Sequence, residues 1–490
     1  MINKYFIVYS LTEGKKTKRK NLLKGIKNVV ISGMECLPIV EGGKGIGVSN
    51  FATASAFAKC GGVGTISAVN PDIVNEHGEV VAQHINSKNR LERHKEMLEN
   101  AIKGTISQIK RARDLVGKNG VIHINALWEM GGTEHLLNEV LSKVKGMLNG
   151  VVCGAGMPYK LAEIASKYKT YYYPIVSSMR AFRILWLRSF SKAKEWLGGV
   201  VYECPWRAGG HNGLTNAEDP FQPQDSYPRI AELRKFMNSV GLEETPIIIA
   251  GGVWNLEEYE KYLDNPEIGK VAFQFGTRPM VTQESPISDY WKQLLLHAKR
   301  GDVKTNHFSP TGFWSSAMNT ELIQDLFERA KREVEYKNEQ DEVFNTKIVC
   351  GKSNKEYFVK AEDKSNIESW IKAGNTEALK TPSETLIFVS KEKANEIKED
   401  LKNCVGCLSC CQFSSWCQYN PEQNYNTGIL PDPRKYCIQK ALQYAHKGIE
   451  NAKALFFAGS NAYRFSEDPF YKDGFIPTIK QLVDRILTGK

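Results

Sequence analysis

His211 is the first residue whose type and neighbours point to chemistry, in the segment WRAGGHNGL (206–214). An imidazole changes its charge near neutral pH, so it is the commonest side chain for accepting or donating a proton. Gly209 and Gly210 precede it and Gly213 follows, and small residues let another molecule approach the backbone closely. The segment therefore predicts a general acid or base beside a bound ligand, with a loop histidine bonded to backbone as the alternative interpretation.

A cluster of cysteines near the C-terminus is the second group with chemical capacity. Six of the eleven cysteines lie between residues 404 and 437, in NCVGCLSCCQFSSWCQYNP and RKYCIQKAL. Sets of thiolates bind zinc or an iron–sulfur cluster. Three close cysteines with a distant fourth favour a 4Fe–4S cluster over zinc, whose ribbons use paired C-x2-C knuckles, and unligated thiols are the third alternative. The candidate ligands are Cys404, Cys407 and Cys411 (or Cys410 in its place), with Cys417 or Cys437 as the fourth.

These side chains must be positioned by regular elements, and the chain predicts a repeating unit of strand and helix. Eight short apolar runs are continuous rather than alternating, as in parallel strands buried on both faces. Segments with a helical period separate them, among them EHLLNEVLSKV, RIAELRKFMNSV and NLEEYEKYL. Eight such units in succession favour an α/β fold of the (β/α)8 TIM barrel type over a doubly wound sheet. The runs are PIVEGG (38–43), GVGTISA (62–68), VIHINAL (121–127), GVVCGAG (150–156), YYYPIVSS (171–178), GVVYECP (199–205), PIIIAGG (246–252) and VAFQFGT (271–277).

Glycines cluster where these predicted strands end, which in a barrel is the catalytic face. Free backbone N–H groups in such loops bind phosphate, above all after the seventh and eighth strands. Asn125 ends the third strand, and Glu203 ends the sixth, either as a core-edge carboxylate paired with an arginine or as a group that holds a cofactor's hydroxyls. The pattern predicts a phosphate-bearing cofactor bound by Gly42 and Gly43 after strand one, Gly251 and Gly252 after strand seven, and Gly276 with Thr277 after strand eight.

The chain is too long for one ordinary domain, and its patterns divide it into three parts. Residues 1–300 form the predicted barrel, with an oversized connection at 69–120 that is expected to act as a lid over the active face. Residues 301–400 read as a loop, a helix and a mixed insert. Residues 401–490 hold the cysteine segment and a helical tail, which we expect to pack back on the barrel.

The net charge of +10 at neutral pH comes partly from an early basic run. A solvated surface is the simpler interpretation of that run, and an anionic partner such as RNA or an acyl carrier is the alternative. Apolar runs fall short of a membrane span, and the N-terminus has its apolar residues before its charges, unlike a secretory signal. We therefore expect a cytoplasmic protein without a membrane segment. The basic run comprises Lys15, Lys16, Lys18, Arg19, Lys20, Lys24 and Lys27.

On these residues the chain resembles the nitronate monooxygenase family (the 2-nitropropane dioxygenase-like flavoproteins), which are FMN-binding barrels related to flavin-dependent enoyl reductases. PIVEGGKGIGVS and GGVGTISA resemble the family's opening, and CGAGMP resembles its fourth-strand segment. RAGGHNG, IIIAGGV and QFGTR resemble its later signature stretches. SPTGFWSS, CLSCC, YCIQKAL and FFAGSNAYR are similar to the tail of the bacterial branch.

The resemblance implies an oxidoreductase that carries FMN and uses His211 as acid or base toward a small organic substrate. The cysteine cluster departs from the simple monooxygenase and is similar to the cluster motif of dienoyl-CoA reductases. Little chain follows residue 437, so a 4Fe–4S cluster would take its electrons from a separate donor protein or from NAD(P)H. The residues implied to hold FMN are Gly42, Gly43, Asn125, Glu203, Gly210, Gly251, Gly252, Gly276 and Thr277.

Three functions from different classes are consistent with these patterns. The leading one is an FMN-dependent oxidoreductase of the nitronate monooxygenase type, with an enoyl-reductase-like enzyme as its nearest variant. The second is a tRNA-modifying flavin or iron–sulfur oxidoreductase, which rests on the basic run. The third is a redox sensor that uses the barrel as a flavin-binding scaffold and the cysteines for signalling.

Overall fold

A computed structural model describes residue 23, residues 25–351 and residues 354–489 of the chain. Most of the basic run, Lys15 to Lys24, lies outside the described residues. Lys27 is described, and its ammonium forms an ion pair with Asp264. Within the described part, no helix is both long and apolar enough to cross a membrane.

Eight parallel strands close into a barrel, which confirms the predicted TIM barrel and excludes the doubly wound sheet. Each strand pairs with the next along the chain, and the last closes on the first through the register Phe273 to Ile39. Almost every residue in these strands is buried, in agreement with their unbroken apolar runs. The barrel strands are β1 (Ile39–Glu41), β2 (Val63–Ser67), β3 (Val121–Leu127), β4 (Gly150–Gly154), β5 (Tyr171–Val176), β6 (Val200–Glu203), β7 (Ile247–Ala250) and β8 (Val271–Phe275).

An α-helix follows each of the first six strands, whereas 3-10 helices follow the last two. The segment NLEEYEKYL, for which an α-helical period was predicted, forms a 3-10 helix at Glu257–Tyr262 after β7. A second 3-10 helix, Arg278–Met280, follows β8. The six ring helices are α1 (Phe51–Lys59), α2 (Arg90–Val116), α3 (Thr133–Lys143), α4 (Leu161–Lys167), α5 (Met179–Arg188) and α6 (Ser226–Ser239), and α7 (Asp289–Leu296) comes after the barrel.

The amino-terminal end of the barrel is sealed by a hairpin that precedes it. Its strands, Val29–Ile31 and Met34–Cys36, pair antiparallel. Ile31 and Cys36 are buried in one apolar cluster with residues of the barrel interior, such as Val121 and Val201. A ligand can therefore enter from the carboxyl end of the strands, where the glycine-rich loops lie.

The connection at 69–120 holds a short hairpin (Ile73–Val74 with Val80–Val81) and α2. Gly104 lets α2 pack closely on this segment, because a Cβ there would lie 2.2 Å from the carbonyl oxygen of Pro71. Arg93, near the start of α2, donates to the carbonyl oxygens of Lys402 and Cys404 at 2.9 and 3.1 Å. The connection is thus bonded to the cysteine segment.

After α7, two strands extend the surface at the carboxyl end of the barrel. The chain then forms a small α/β unit with its own apolar core. Strands Val303–Asn306 and Ser315–Met318 form an antiparallel sheet with Gly210–His211. The α/β unit comprises α8 (Glu321–Ala330), strands Glu333–Glu335, Thr346–Cys350 and Lys355–Val359, α9 (Lys364–Lys372), strands Glu377–Lys380 and Thr385–Val389, and α10 (Lys391–Lys402).

The C-terminal part returns to the barrel. Leu482 and Ile486 of its last helix are fully buried in the main core, where that helix packs against α1. The last helix therefore helps to complete the outer layer of the barrel. This part contains the hairpin Cys410–Cys411 with Trp416–Cys417, then α11 (Ile438–Lys447), α12 (Arg464–Glu467) and α13 (Ile479–Thr488).

Candidate functional site

The carboxyl ends of the barrel strands surround a large cavity. Loops after β1, β3, β6, β7 and β8 line it, and segments from beyond the barrel cover it. The structure brings together at this cavity every residue that the sequence suggested for catalysis and FMN binding. These are His211, Gly42, Gly43, Asn125, Glu203, Gly210, Gly251, Gly252, Gly276 and Thr277.

His211 is held in the cavity wall by a sheet that the barrel does not supply. His211 pairs antiparallel with Ser315, which belongs to the hairpin of Val303–Asn306 and Ser315–Met318. Its Nε2 lies 2.7 Å from the hydroxyl of Ser309, and that hydroxyl lies 2.8 Å from Oγ1 of Thr311, which also lines the cavity. These hydroxyls fix the imidazole orientation and connect it to the cavity surface.

Burial lowers the pKa of His211 to about 4. The ring of Phe457 lies 5.6 Å from the imidazole, centroid to centroid, and contributes to its apolar surroundings. Because desolvation disfavours the charged imidazolium, the side chain is neutral near neutral pH and has a lone pair available for a proton. His211 is therefore an uncharged imidazole that can accept a proton, not a resident cation.

The glycines before His211 both line the cavity. We expected the glycines around His211 to give a ligand access to the backbone. Gly209 has a second role that the sequence did not indicate: a Cβ there would lie 2.6 Å from the carbonyl carbon of Ala458, so this glycine also admits the protein's own C-terminal segment. The φ of Gly210 is +72°, the left-handed conformation that glycine adopts most readily.

The glycines of the predicted cofactor loops differ in their surroundings and in their backbone conformation. Gly43 lies so close to the third strand that a Cβ would fall 2.1 Å from Cβ of Asn125. Gly251 and Gly252 both have left-handed backbones, with φ of +83° and +80°. Gly276 differs, because a Cβ built there meets no protein atom within 4 Å and would project into open space.

Glu203 presents a carboxyl group to the cavity without a partner. Within the described residues its oxygens accept no hydrogen bond and form no ion pair. Burial raises the pKa of Glu203 to about 8, so the cofactor-free side chain is protonated near neutral pH. A buried carboxyl with unused hydrogen-bonding capacity suits the hydroxyl groups of a ligand.

Lys44 and Glu41 form a buried pair beside the first strand that the sequence pattern did not single out. The Lys44 ammonium lies 3.1 Å from Glu41 Oε1 and donates to the carbonyl oxygen of Gly42 at 2.7 Å. Burial lowers the pKa of Lys44, and the Glu41 carboxylate opposes that shift. Lys44 lines the cavity and places a positive charge near the predicted cofactor loops.

The C-terminal segment also contributes to the cofactor loops, which the sequence alone did not indicate. The N–H of Gly459 donates to Thr277 Oγ1 at 2.9 Å. The amide of Asn461 donates to the carbonyl oxygen of Gly252 at 2.6 Å. Both residues line the cavity, so the loops after β7 and β8 are completed by a segment about two hundred residues later in the chain.

The cysteine segment crosses the end of β3, where Cys407 and Leu408 line the cavity. Cys410 and Cys417 lie opposite each other in the short hairpin, with their sulfur atoms 2.8 Å apart. Burial raises the pKa of Cys407 well above its usual value, and the nearby thiols of Cys411, Cys437 and Cys404 raise it further.

Within the described residues, no three His, Cys, Asp or Glu side chains are gathered closely enough to hold a metal ion. The structure therefore gives no support for the predicted 4Fe–4S cluster or for its zinc alternative. It sorts the cysteines into a Cys410–Cys417 pair and a looser group of four, Cys404, Cys407, Cys411 and Cys437.

Comparisons with known proteins agree with this barrel. The family model described as nitronate monooxygenase matches residues 29–389. The enoyl reductase domain of MlnA, from the macrolactin biosynthesis cluster of Bacillus amyloliquefaciens, has a TM-score of 0.54 at 12% identity, covering 92% of this chain and 93% of that chain. FabK from Thermotoga maritima has a TM-score of 0.50 at 14% identity, covering 92% and 91%. At such identities the two structures show a shared fold alone. A search of the curated proteins found no match to the chain.

Proposed function

The chain belongs to the nitronate monooxygenase family and is an FMN-dependent oxidoreductase, and from this premise we propose that it oxidises small nitroalkanes or their nitronates with His211 as the base. The observation that carries the proposal is the state of His211. It lines the cavity, its Nε2 is bonded to Ser309, and burial keeps its imidazole neutral.

Three features of the cavity support FMN as the cofactor. The left-handed backbones of Gly251 and Gly252, together with Thr277, offer N–H groups and a hydroxyl to a phosphate. The unpartnered carboxyl of Glu203 suits a ribityl hydroxyl. Gly276 opens onto free space that a larger residue would fill. When bound, FMN supplies a two-electron acceptor next to the substrate.

The residues of the chain then handle the proton. With its Nε2–H donating to Ser309 Oγ, His211 keeps a lone pair on Nδ1 that takes the proton from the carbon next to the nitro group. Carbon acids of this kind lose that proton more readily when a positioned base is present. The Ser309 hydroxyl stabilises the resulting imidazolium by accepting its Nε2–H, and Ser309 is in turn hydrogen-bonded to Thr311.

Purified protein loaded with FMN should oxidise short nitroalkanes or nitronates in the presence of oxygen. The assay is oxygen consumption and nitrite release, compared with NAD(P)H-dependent reduction of an α,β-unsaturated thioester. The apolar cavity is compatible with either carbon chain, so the two assays separate the family's reaction from the enoyl-reductase-like alternative. If the protein reduces the thioester and does not oxidise nitroalkanes, the proposed reaction is wrong and the enoyl-reductase-like reaction takes its place.

We further propose that Cys404, Cys407, Cys411 and Cys437 hold a 4Fe–4S cluster, which would supply one-electron transfer from a donor protein or NAD(P)H. Their spacing has three close thiols and a distant fourth, and the thiols of Cys411, Cys437 and Cys404 are near enough to Cys407 to raise its pKa.

Iron and sulfide analysis of anaerobically purified variants tests the cluster. Cys407→Ser and Cys437→Ser should lose most of the iron and sulfide that the wild-type protein contains. Cys410→Ser is the matched control, because Cys410 pairs with Cys417 outside the group of four, and it should keep the wild-type content. If the wild-type protein contains neither iron nor sulfide, the proposed cluster is wrong.

A further inference from the structure

One wall of the cavity is formed by α11 and residues 69–72, which two polar bridges hold together. The amide of Asn70 donates to Gln439 Oε1 at 2.8 Å. Nε2 of His446 lies 2.9 Å from Oδ2 of Asp72. Asn70, Gln439 and His446 line the cavity, and Leu442 lies between the last two on the same face of α11.

His446 has a polar atom for which the structure offers no protein partner. Its side chain is only 10% exposed, and its Nδ1 is buried without a hydrogen bond in the described part of the chain. Oδ1 of Asn70, in the same wall, is also buried without a partner. A buried polar atom without a partner is costly, so two in one wall of a cavity indicate a ligand group that donates a hydrogen bond to at least one of them.

Asp72 determines which nitrogen of His446 carries the proton. The hydrogen bond from His446 lowers the pKa of Asp72, and burial opposes this shift. The carboxylate accepts the Nε2–H, so in the uncharged form of the imidazole the lone pair is on Nδ1. A carboxylate orients a histidine in the same way in acid–base pairs of enzymes. Both unpartnered atoms of the wall are therefore acceptors.

We propose that Asp72 and His446 form a second subsite that binds a hydroxyl group at the far end of the substrate. The hydroxyl donates to His446 Nδ1, and the substrate's carbon chain lies against apolar side chains of the same cavity, such as Val48 and Leu442. This subsite rests on the proposed function, since it names the substrate class within nitroalkane oxidation. It is separate from His211, which acts at the carbon that is oxidised.

Anaerobic calorimetric binding to the FMN-loaded protein, with the flavin chemically reduced so that it cannot oxidise the probes, tests the subsite with neutral, commercially simple compounds. The probes are nitroalkanes and nitroalkanols matched in length, such as 1-nitrobutane with 3-nitro-1-propanol, extended by one carbon at a time. For one length of the series we expect the alcohol to bind roughly tenfold more tightly than the alkane, as for a hydroxyl matched to a buried acceptor. In His446→Leu this preference should disappear.

His297→Leu is the matched control, because His297 is an exposed imidazole that bonds to its own helix through the carbonyl oxygen of Gln293. It should keep the wild-type preference. A preference that survives in His446→Leu, or that no chain length shows in the wild-type protein, overturns the proposal. Failure of every probe to be oxidised would instead contradict the proposed function, because binding is measured without turnover.

Nitrogen-15 NMR of labelled histidine gives a second test that a merely structural role would not satisfy. At a pH where His446 is neutral, its signals should show the proton on Nε2 and a bare Nδ1. Asp72→Asn should remove this tautomer preference and weaken alcohol binding. A wild-type proton on Nδ1 would contradict the proposed subsite.

Discussion

His211→Asn is expected to lower nitroalkane turnover by about 10²–10⁴-fold while FMN remains bound. The amide of asparagine has no lone pair basic enough to take the proton, whereas the cofactor loops do not depend on the imidazole. The measurement is kcat for a nitroalkane, with bound flavin quantified from the absorbance spectrum of each preparation. Unchanged turnover would remove His211 from the mechanism.

The pH dependence of kcat/KM follows from the lowered pKa of His211. Because burial lowers that pKa to about 4, the neutral base dominates at every pH above it and is lost as the pH falls through it. We expect a plateau at neutral pH and an acidic limb near the lowered pKa, and that limb should be absent in His211→Asn.

Ser309→Ala is expected to lower nitroalkane turnover less than His211→Asn does. It keeps the imidazole but removes its 2.7 Å hydrogen bond, so a loss of roughly tenfold is expected, the size of one hydrogen bond to a polar group. The acidic limb should persist in this variant, because the base is still present. A loss as large as that of His211→Asn would show that the hydroxyl itself takes part in proton transfer.

Gly276→Val is expected to weaken FMN binding at least about tenfold without destabilising the cofactor-free protein. A Cβ at Gly276 meets no protein atom within 4 Å, so the added side chain clashes only with a ligand. A lost contact and forced displacement of the cofactor cost about 1–3 kcal/mol, which corresponds to tenfold or more in affinity. The measurements are the Kd from quenching of FMN fluorescence and the Tm of the cofactor-free protein.

Two comparisons make the Gly276 result specific. Ala373→Val places the same side chain at an exposed helix end far along the chain and should leave both Kd and Tm unchanged. Gly43→Ala should instead destabilise the cofactor-free protein, because its Cβ would lie 2.1 Å from Asn125. If Gly276→Val binds FMN as tightly as the wild type does, the cofactor does not occupy this side of the cavity.

The barrel and the cofactor loops could be predicted from the sequence because their signals are local. Continuous apolar runs marked strands buried on both faces, and glycines marked the strand ends where backbone meets ligand. The 3-10 helix at Glu257–Tyr262 was less predictable, since its residues carry an α-helical period and only the short loop geometry tightens the turn.

The parts that the sequence did not indicate depend on distant pairing. Ser315 aligns His211 through a sheet closed about one hundred residues later in the chain. Asn461 and Gly459 bond to loops about two hundred residues earlier. The close approach of residues 458–459 to Gly209 was not predicted, because no local pattern shows that this segment returns to it.

The central claim is that His211 takes the substrate's proton beside bound FMN. Anaerobic stopped-flow absorbance of the flavin, with a nitroalkane and with its preformed nitronate, tests that claim most directly. In His211→Asn we expect flavin reduction by the nitroalkane to slow by about 10²-fold or more, and reduction by the nitronate, which has already lost its proton, to stay close to the wild-type rate. Equal slowing with both compounds, or no slowing with either, would contradict the assignment of His211 as the base.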